Sequence, residues 1–262
     1  MFSFEYQEIS IAHKLDHASS PLDEYGKHMH SFYELLLFVR GDVVYSVESQ
    51  RKVLEEGDFV LILPGQYHFA SVNKDNLYER YVLKFPASMV PSSLQRRLRE
   101  KNVHFFQKNR YIENIITNLD MCRKIFSDED FFHMSKSKIL ETLIYLARIA
   151  ETAENEFPDS NLYRILKYIR DHRTEELSVD RISKDLGLSK SYLFSYFKRE
   201  MKVTLMKYIR SKKVIYGQYL IRQGKPPKEV AKELQFKDYS TFYRDYVSTF
   251  GYSPNKDMPK EE

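Results

Sequence analysis

The chain has one cysteine, Cys122, and no tryptophan in 262 residues. A single thiol excludes an internal disulfide, which fits a reducing cytoplasm. No stretch approaches the roughly 18 consecutive apolar residues of a membrane helix. The N-terminus, Met1 to Ser10, lacks the basic start and apolar run of a signal peptide. The expectation is therefore a cytoplasmic protein with no membrane partner. The other aromatics are plentiful: 20 tyrosines and 18 phenylalanines supply core for one large or two ordinary domains.

The formal net charge of +4 is unevenly spread. Residues 161–262 carry 22 Lys and Arg against 13 Asp and Glu, a balance of +9, whereas residues 1–160 carry 19 against 24, a balance of −5. A basic half of this kind concentrates near phosphates and releases counterions on binding.

That basic half contains a repeat. Ser178 is a good N-cap, and Val179, Ile182 and Leu186 follow at helical spacing. Gly187 breaks the helix, because glycine turns left-handed without a steric penalty. Ser189 then caps a second helix over about 190–201, with Leu193 and Phe197 on one face and Lys190, Ser191, Phe194, Ser195 and Lys198 opposite. The same order returns with Val230, Ala231 and Leu234, then Asp238 as N-cap, then Phe242 and Tyr246, with a turn one residue longer. A helix over 204–222 separates the two units. Two helix-turn-helix units at about 178–201 and 227–250, on a rigid spacer, suit two major-groove faces about 34 Å apart. Phosphate contacts are expected from Lys190, Lys198, Arg199, Lys207, Arg210, Lys212, Lys213 and Lys237.

This stretch resembles the DNA-binding domain of the AraC/XylS family of bacterial transcription regulators. The resemblance is carried by Leu186-Gly187-Leu188-Ser189, Leu193, Phe197-Lys198, Tyr208-Ile209-Arg210, Ala231, Phe236, Thr241-Phe242, Arg244 and Phe250-Gly251-Tyr252-Ser253-Pro254. Lys202 and Gln235 stand where the family usually has glycine, and Gly217 where it has alanine. The resemblance implies base-facing positions at Ser191, Phe194 and Ser195 in the first unit, and at Tyr239, Ser240, Thr241 and Arg244 in the second. Arginine makes two hydrogen bonds to guanine O6 and N7, so Arg244 is the expected principal reader, and Phe194 suits a thymine methyl. The family also implies a homodimer, a small-molecule effector of which carbohydrates are the leading class, and activation of transcription through RNA polymerase.

Residues 4–85 read as about seven short strands. The apolar run from Phe32 to Val39 suits a buried strand, Val43, Tyr45 and Val47 alternate with polar neighbours, and Gly41-Asp42 and Glu56-Gly57-Asp58 mark turns. This argues a sandwich or small barrel. Within it, His28, His30, Glu34 and Gly41, followed by Gly57, Pro64 and His68, resemble the two motifs of the cupin barrel. On a continuous strand, residues 28, 30 and 34 share a face. Imidazoles and a carboxylate could hold a divalent transition metal. The alternative is that they line an effector pocket together with Tyr45, and that reading is carried forward, with no metal, cofactor or catalysis expected. Tyr25, Phe38, Phe59, Tyr67 and Phe69 are further stacking faces for a flat polar ligand.

After Pro86 the period becomes helical. Ser92 to Phe106 holds Leu94, Leu98 and the basic cluster Arg96, Arg97, Arg99 and Lys101; Ile112 to Phe126 and about 135–153 form an antiparallel pair expected to cover the open side of the barrel and leave an apolar dimerisation ridge. Ala150 to Asp159 is the linker candidate.

The expected architecture is an α+β multidomain chain. Residues 1–158 form a cupin-like effector-binding and dimerisation domain, with a β-barrel at about 4–85 and helices at about 92–153. Residues 159–262 form an all-α DNA-binding domain. The expected activity is regulation of promoter DNA rather than catalysis. The competing readings are a metal-dependent cupin enzyme with a DNA-binding tail, and an effector-independent regulator with the barrel as scaffold.

Overall fold

The computed structural model describes residues 1–17, 28–73, 77–152 and 160–259. It divides into two compact units, Met1–Glu156 and Phe157–Glu262. Tyr25 and most of the proposed linker, residues 153–159, lie outside the described residues.

The first unit is two sheets with helices against one of them. Strands β1 (Phe2–Tyr6), β2 (Ile9–His17), β3 (Tyr33–Arg40), β4 (Val43–Val47), β5 (Gln50–Val53), β6 (Phe59–Ile62), β7 (His68–Val72) and β8 (Leu77–Phe85) precede a two-residue β9 (Phe105–Phe106). They form a six-stranded sheet, ordered β1-β2-β8-β3-β6-β9, and a three-stranded sheet, β5-β4-β7. The two sheets do not join into a closed barrel among the described residues, so the expectation of a barrel is corrected to an open two-sheet sandwich.

Strand alternation assigns the two faces of the large sheet. Tyr33, Leu35 and Leu37 of β3 and Tyr81, Leu83 and Phe85 of β8 point into a core shared with the helices. Leu36, Phe38 and Tyr78 point instead into a second core with Val43, Tyr45 and Val47 of the small sheet. β3 is apolar from Leu35 to Phe38 because both of its faces are buried there. The helices are α1 (Ser92–Lys101), α2 (Arg110–Thr117), α3 (Leu119–Ile125) and α4 (Asp128–Thr152). They cover the outer face of the large sheet, through Leu94, Leu98, Ile112, Ile116, Leu119, Ile139, Leu143 and Leu146, and not the open side expected from sequence. The helix read over 112–126 is interrupted at Asn118, and its last apolar residues, Ile125 and Phe126, are exposed. Two members of the basic cluster on α1 reach α4: Arg97 Nε lies 2.7 Å from the Glu151 carboxylate and Lys101 donates to the Glu151 carbonyl.

The second unit is helical: α5 (Asn161–Asp171), α6 (Val179–Leu186), α7 (Lys190–Met201), α8 (Leu205–Arg222), α9 (Pro227–Glu233) and α10 (Tyr239–Phe250). The side chains of Ser160, Ser178, Ser189, Thr204 and Asp238 each accept a hydrogen bond from a first-turn amide. Each such cap contributes about 1 kcal/mol. Gly187 is left-handed at φ 68°, as the turn requires. Lys202 and Gln235, at φ 58° and 56°, are left-handed as well, at about 1 kcal/mol each relative to glycine. Helix α8 is the spine. It buries Tyr208, Ile209, Val214, Ile215, Leu220 and Ile221 around much of its circumference, because a helix-turn-helix unit packs at each end. Gly217 passes under the ring of Phe242, where an added Cβ would come within 3.0 Å of the ring edge.

Candidate functional sites

Each two-helix unit buries one face of its second helix and leaves the other free. Leu193, Phe197 and Met201 anchor α7, and Phe242 and Tyr246 anchor α10. On α7, Ser191, Phe194, Ser195, Lys198 and Arg199 are exposed, Phe194 by 46%. The Ser195 hydroxyl donates back to the Ser191 and Tyr192 carbonyls. On α10, Ser240 and Arg244 are exposed, and Tyr239 and Thr241 are half-buried. Among the described residues the Arg244 guanidinium makes long contacts, 3.4 Å each, to the Ser240 carbonyl and the Thr241 hydroxyl, so its donors remain available.

In the first unit, a cleft of about 290 Å³ lies between the two sheets. Its large-sheet wall follows the alternation described above: Ala12 and Lys14 of β2, Glu34 of β3, and Tyr78, Arg80 and Lys84 of β8. Tyr45, His68 and Phe69 form the facing wall, with His28 beside them. His28 is bridged to His68 by two backbone hydrogen bonds, the chain bends at Ser31-Phe32, and β3 begins at Tyr33. The shared strand parity expected of His28, His30 and Glu34 is therefore not what gathers them. The bridge and the bend do so, and one ligand atom from each of His28, His30, Glu34 and His68 lies within 4.8 Å of the others.

The electrostatics of this cluster are set by burial. Glu34 and His68 are buried, and His28 is exposed. Burial alone would push Glu34 up, but the hydrogen bond to His30 Nε2 at 3.2 Å and the charges around it outweigh that and hold the carboxyl far below the usual range. Burial pushes the His68 imidazole down to about 3, so it is neutral near pH 7. The Tyr45 phenol is pushed well above its ordinary value by the same cause.

Residues 12–122 match the family described as the AraC-like ligand binding domain, and residues 182–258 match a helix-turn-helix domain. The two matched regions fall on the sandwich with its first helices and on the paired helix-turn-helix units. This chain belongs to the AraC/XylS family of transcriptional regulators. Over 230 residues it is 24% identical to LumQ, a probable transcriptional regulator of Photobacterium leiognathi, covering 87% of this chain and 90% of that one. It is 21% identical over 267 residues to the HTH-type transcriptional activator RhaS of Escherichia fergusonii, covering 97% and 93%. The multiple antibiotic resistance protein MarA of Salmonella typhimurium is 31% identical over 96 residues, 36% of this chain and 76% of that one. The protein is thus a regulator of transcription, pairing a ligand-binding domain with a helix-turn-helix DNA-binding domain.

For this regulator the structure removes one residue from the expected phosphate set. Lys213 is only 6% exposed, and its ammonium donates to the carbonyls of Glu175, at 3.0 Å, and Leu234, at 2.8 Å. It faces inward because α8 is buried on that side by both units. Lys190, Lys198, Arg199, Lys207, Arg210 and Lys237 are exposed, and Lys212 is half-buried over the Tyr208 ring. Three of these are partly engaged: Lys190 pairs with Asp180, Arg199 lies 2.8 Å from Glu200, and Arg210 lies 3.8 Å from Asp245. In the sandwich, Tyr45 and Phe69 reach the cleft, whereas Phe38 and Phe59 are buried in the two cores. Sequence reasoning missed Lys14, Arg80 and Lys84. The signal was present: Tyr78, Arg80, Val82 and Lys84 share one face of a strand whose other face carries Tyr81, Leu83 and Phe85, and two charged residues on one face of a buried strand point to a lined cavity. No helix among the described residues is long and apolar enough to cross a membrane.

Proposed function

We propose that this regulator acts in the cytoplasm as a homodimeric activator whose sandwich binds a small polyhydroxylated effector of the carbohydrate class. Bound effector changes how the paired helix-turn-helix units engage promoter DNA, and so the recruitment of RNA polymerase. The observation that carries the effector reading is the cleft. It is small, and carboxylate, ammonium, guanidinium, imidazole and phenol groups surround it, a set that suits the hydroxyls of a compact ligand. Activation draws on RhaS, named an activator and similar along nearly the whole chain. The homodimer draws on the exposed apolar residues of the helices, Tyr111, Met121, Ile125, Phe126, Ile144 and Tyr145.

On the DNA, α7 and α10 enter successive major-groove faces. Ser191, Phe194 and Ser195 face bases from the first, and Tyr239, Ser240, Thr241 and Arg244 from the second. Lys190, Lys198, Arg199, Lys207, Arg210, Lys212 and Lys237 contact phosphates. The test is binding of the full chain to its own promoter fragment, followed by fluorescence anisotropy across a panel of sugars and several salt concentrations. Binding that weakens steeply with salt, and one sugar that shifts the affinity by about 5-fold or more, are expected. Salt-insensitive or absent DNA binding would overturn the DNA reading, and a panel without effect would overturn the carbohydrate reading.

A further inference from the structure

We propose that His28, His30, Glu34 and His68 bind one divalent transition-metal ion of the zinc class. Three observations carry this, none of which depends on the identity of the effector. The first is tautomer control. Nδ1 of His30 lies 3.0 Å from the Phe32 carbonyl, and Nδ1 of His68 lies 3.0 Å from the Gln66 carbonyl. A carbonyl oxygen only accepts, so Nδ1 carries a proton in both rings; Nε2 is the atom turned into the cluster, a bare acceptor in His68 and, in His30, a nitrogen facing the Glu34 carboxylate with either a proton or a metal ion between them. Backbone carbonyls orient metal-binding imidazoles in this way.

The second observation is an orphan. His68 is fully buried, and its Nε2 has no hydrogen-bond partner among the described residues. A buried acceptor without a donor is unfavourable, and a cation in front of it removes the penalty.

The third is the arrangement of lone pairs. A Glu34 oxygen lies 3.2 Å from His30 Nε2 and 4.0 Å from His68 Nε2. The bare His68 nitrogen, the His30 Nε2 and a carboxylate converge on one point, and a metal ion there would take the place of the His30 proton and neutralise all three. Lys84 Nζ lies 3.6 Å from the same Glu34 oxygen, but its side chain is 38% exposed. It offsets the carboxylate from the solvent side and leaves His68 Nε2 unpartnered. Three nitrogens and one oxygen suit zinc and its neighbours, whereas calcium and magnesium favour all-oxygen shells. His28, the exposed member, stands on the cleft side of the group.

The experiment uses the full chain, stripped with EDTA and dialysed. Zn²⁺ and Co²⁺ are titrated separately, bound metal is counted by elemental mass spectrometry, and the Co²⁺ visible spectrum is recorded. The expected result is one ion per chain, a nitrogen-ligated Co²⁺ spectrum and a raised thermal transition. His68→Gln and Glu34→Gln should each weaken binding by about tenfold or more. Both residues are buried, so His28→Ala, at an exposed position, provides the variant that keeps its fold, with the same loss expected. His133→Ala, an exposed histidine on α4, should bind as the parent does. No stoichiometric uptake by the parent chain, or unchanged uptake in His28→Ala, would overturn the proposal and leave His30 and Lys84 to offset Glu34.

Discussion

Replacing Lys213 with methionine separates a structural lysine from a DNA-contacting one. Methionine keeps the apolar length of the side chain and removes the ammonium, so the carbonyls of Glu175, just before α6, and Leu234, at the end of α9, lose their donor. These two bonds tie the first helix-turn-helix unit to the second across α8. Hydrogen bonds to charged groups contribute about 1.5–3 kcal/mol each. Against that loss stands the burial of the ammonium, which pushes its pKa below the ordinary lysine value. The net expectation is a destabilisation of about 2–4 kcal/mol, which for a unit of this size moves its thermal transition down on the order of 10 °C. Calorimetry on the full chain reads this directly. Lys212→Met, one residue away and half-buried over Tyr208, is the comparison. It should change stability by no more than about 0.5 kcal/mol and lower the slope of log affinity against log salt by about 1. If Lys213→Met instead keeps its transition and lowers the salt slope, Lys213 reaches phosphate and the argument from its burial is refuted.

Arg244→Ala should cost about 1–3 kcal/mol against the preferred site and relax base preference at one position, as measured by competition between promoter variants; an equal loss on every sequence would make it a phosphate contact. On α7, where Ser195 is turned back onto its own helix, replacing thymine by deoxyuracil under the first unit should weaken the parent chain and leave Phe194→Ala unaffected; the same loss in both chains would remove Phe194 from base reading. Asp257 accepts hydrogen bonds from Tyr246, Gln218 and Arg222, and although burial opposes them, together they hold its carboxyl below the ordinary value. A lowered folded pKa contributes stability above the unfolded value of about 3.9, and that stability is lost as pH falls through the folded value. Urea titrations should therefore show Asp257→Asn weaker than the parent at neutral pH, with the gap closing below about pH 4. A gap that persists in acid would assign the effect to packing.

The paired helix-turn-helix units were legible in the sequence because their determinants are local. Ser178, Ser189, Thr204 and Asp238 hydrogen-bond amides within three residues, Gly187 needs only its own φ, and Leu193 with Phe197 or Phe242 with Tyr246 share a face by helical geometry. The unequal charge of the two halves was open to the same reading. Lys213 was not, since its sequence neighbours include several solvent-facing lysines and arginines, and only the packing of both units onto α8 encloses it. The cleft shows the same limit. The identities of His28, His30, Glu34 and His68 marked them as candidates. Their convergence depends on a bend at residues 31–32 and on pairing with a residue forty positions away. Sequence alone decided which residues could cap, turn or carry charge, because those properties belong to single residues and their near neighbours. Closure of the sheets, the face the helices cover and the walls of the cleft were decided by tertiary structure, because each depends on which distant strands pair.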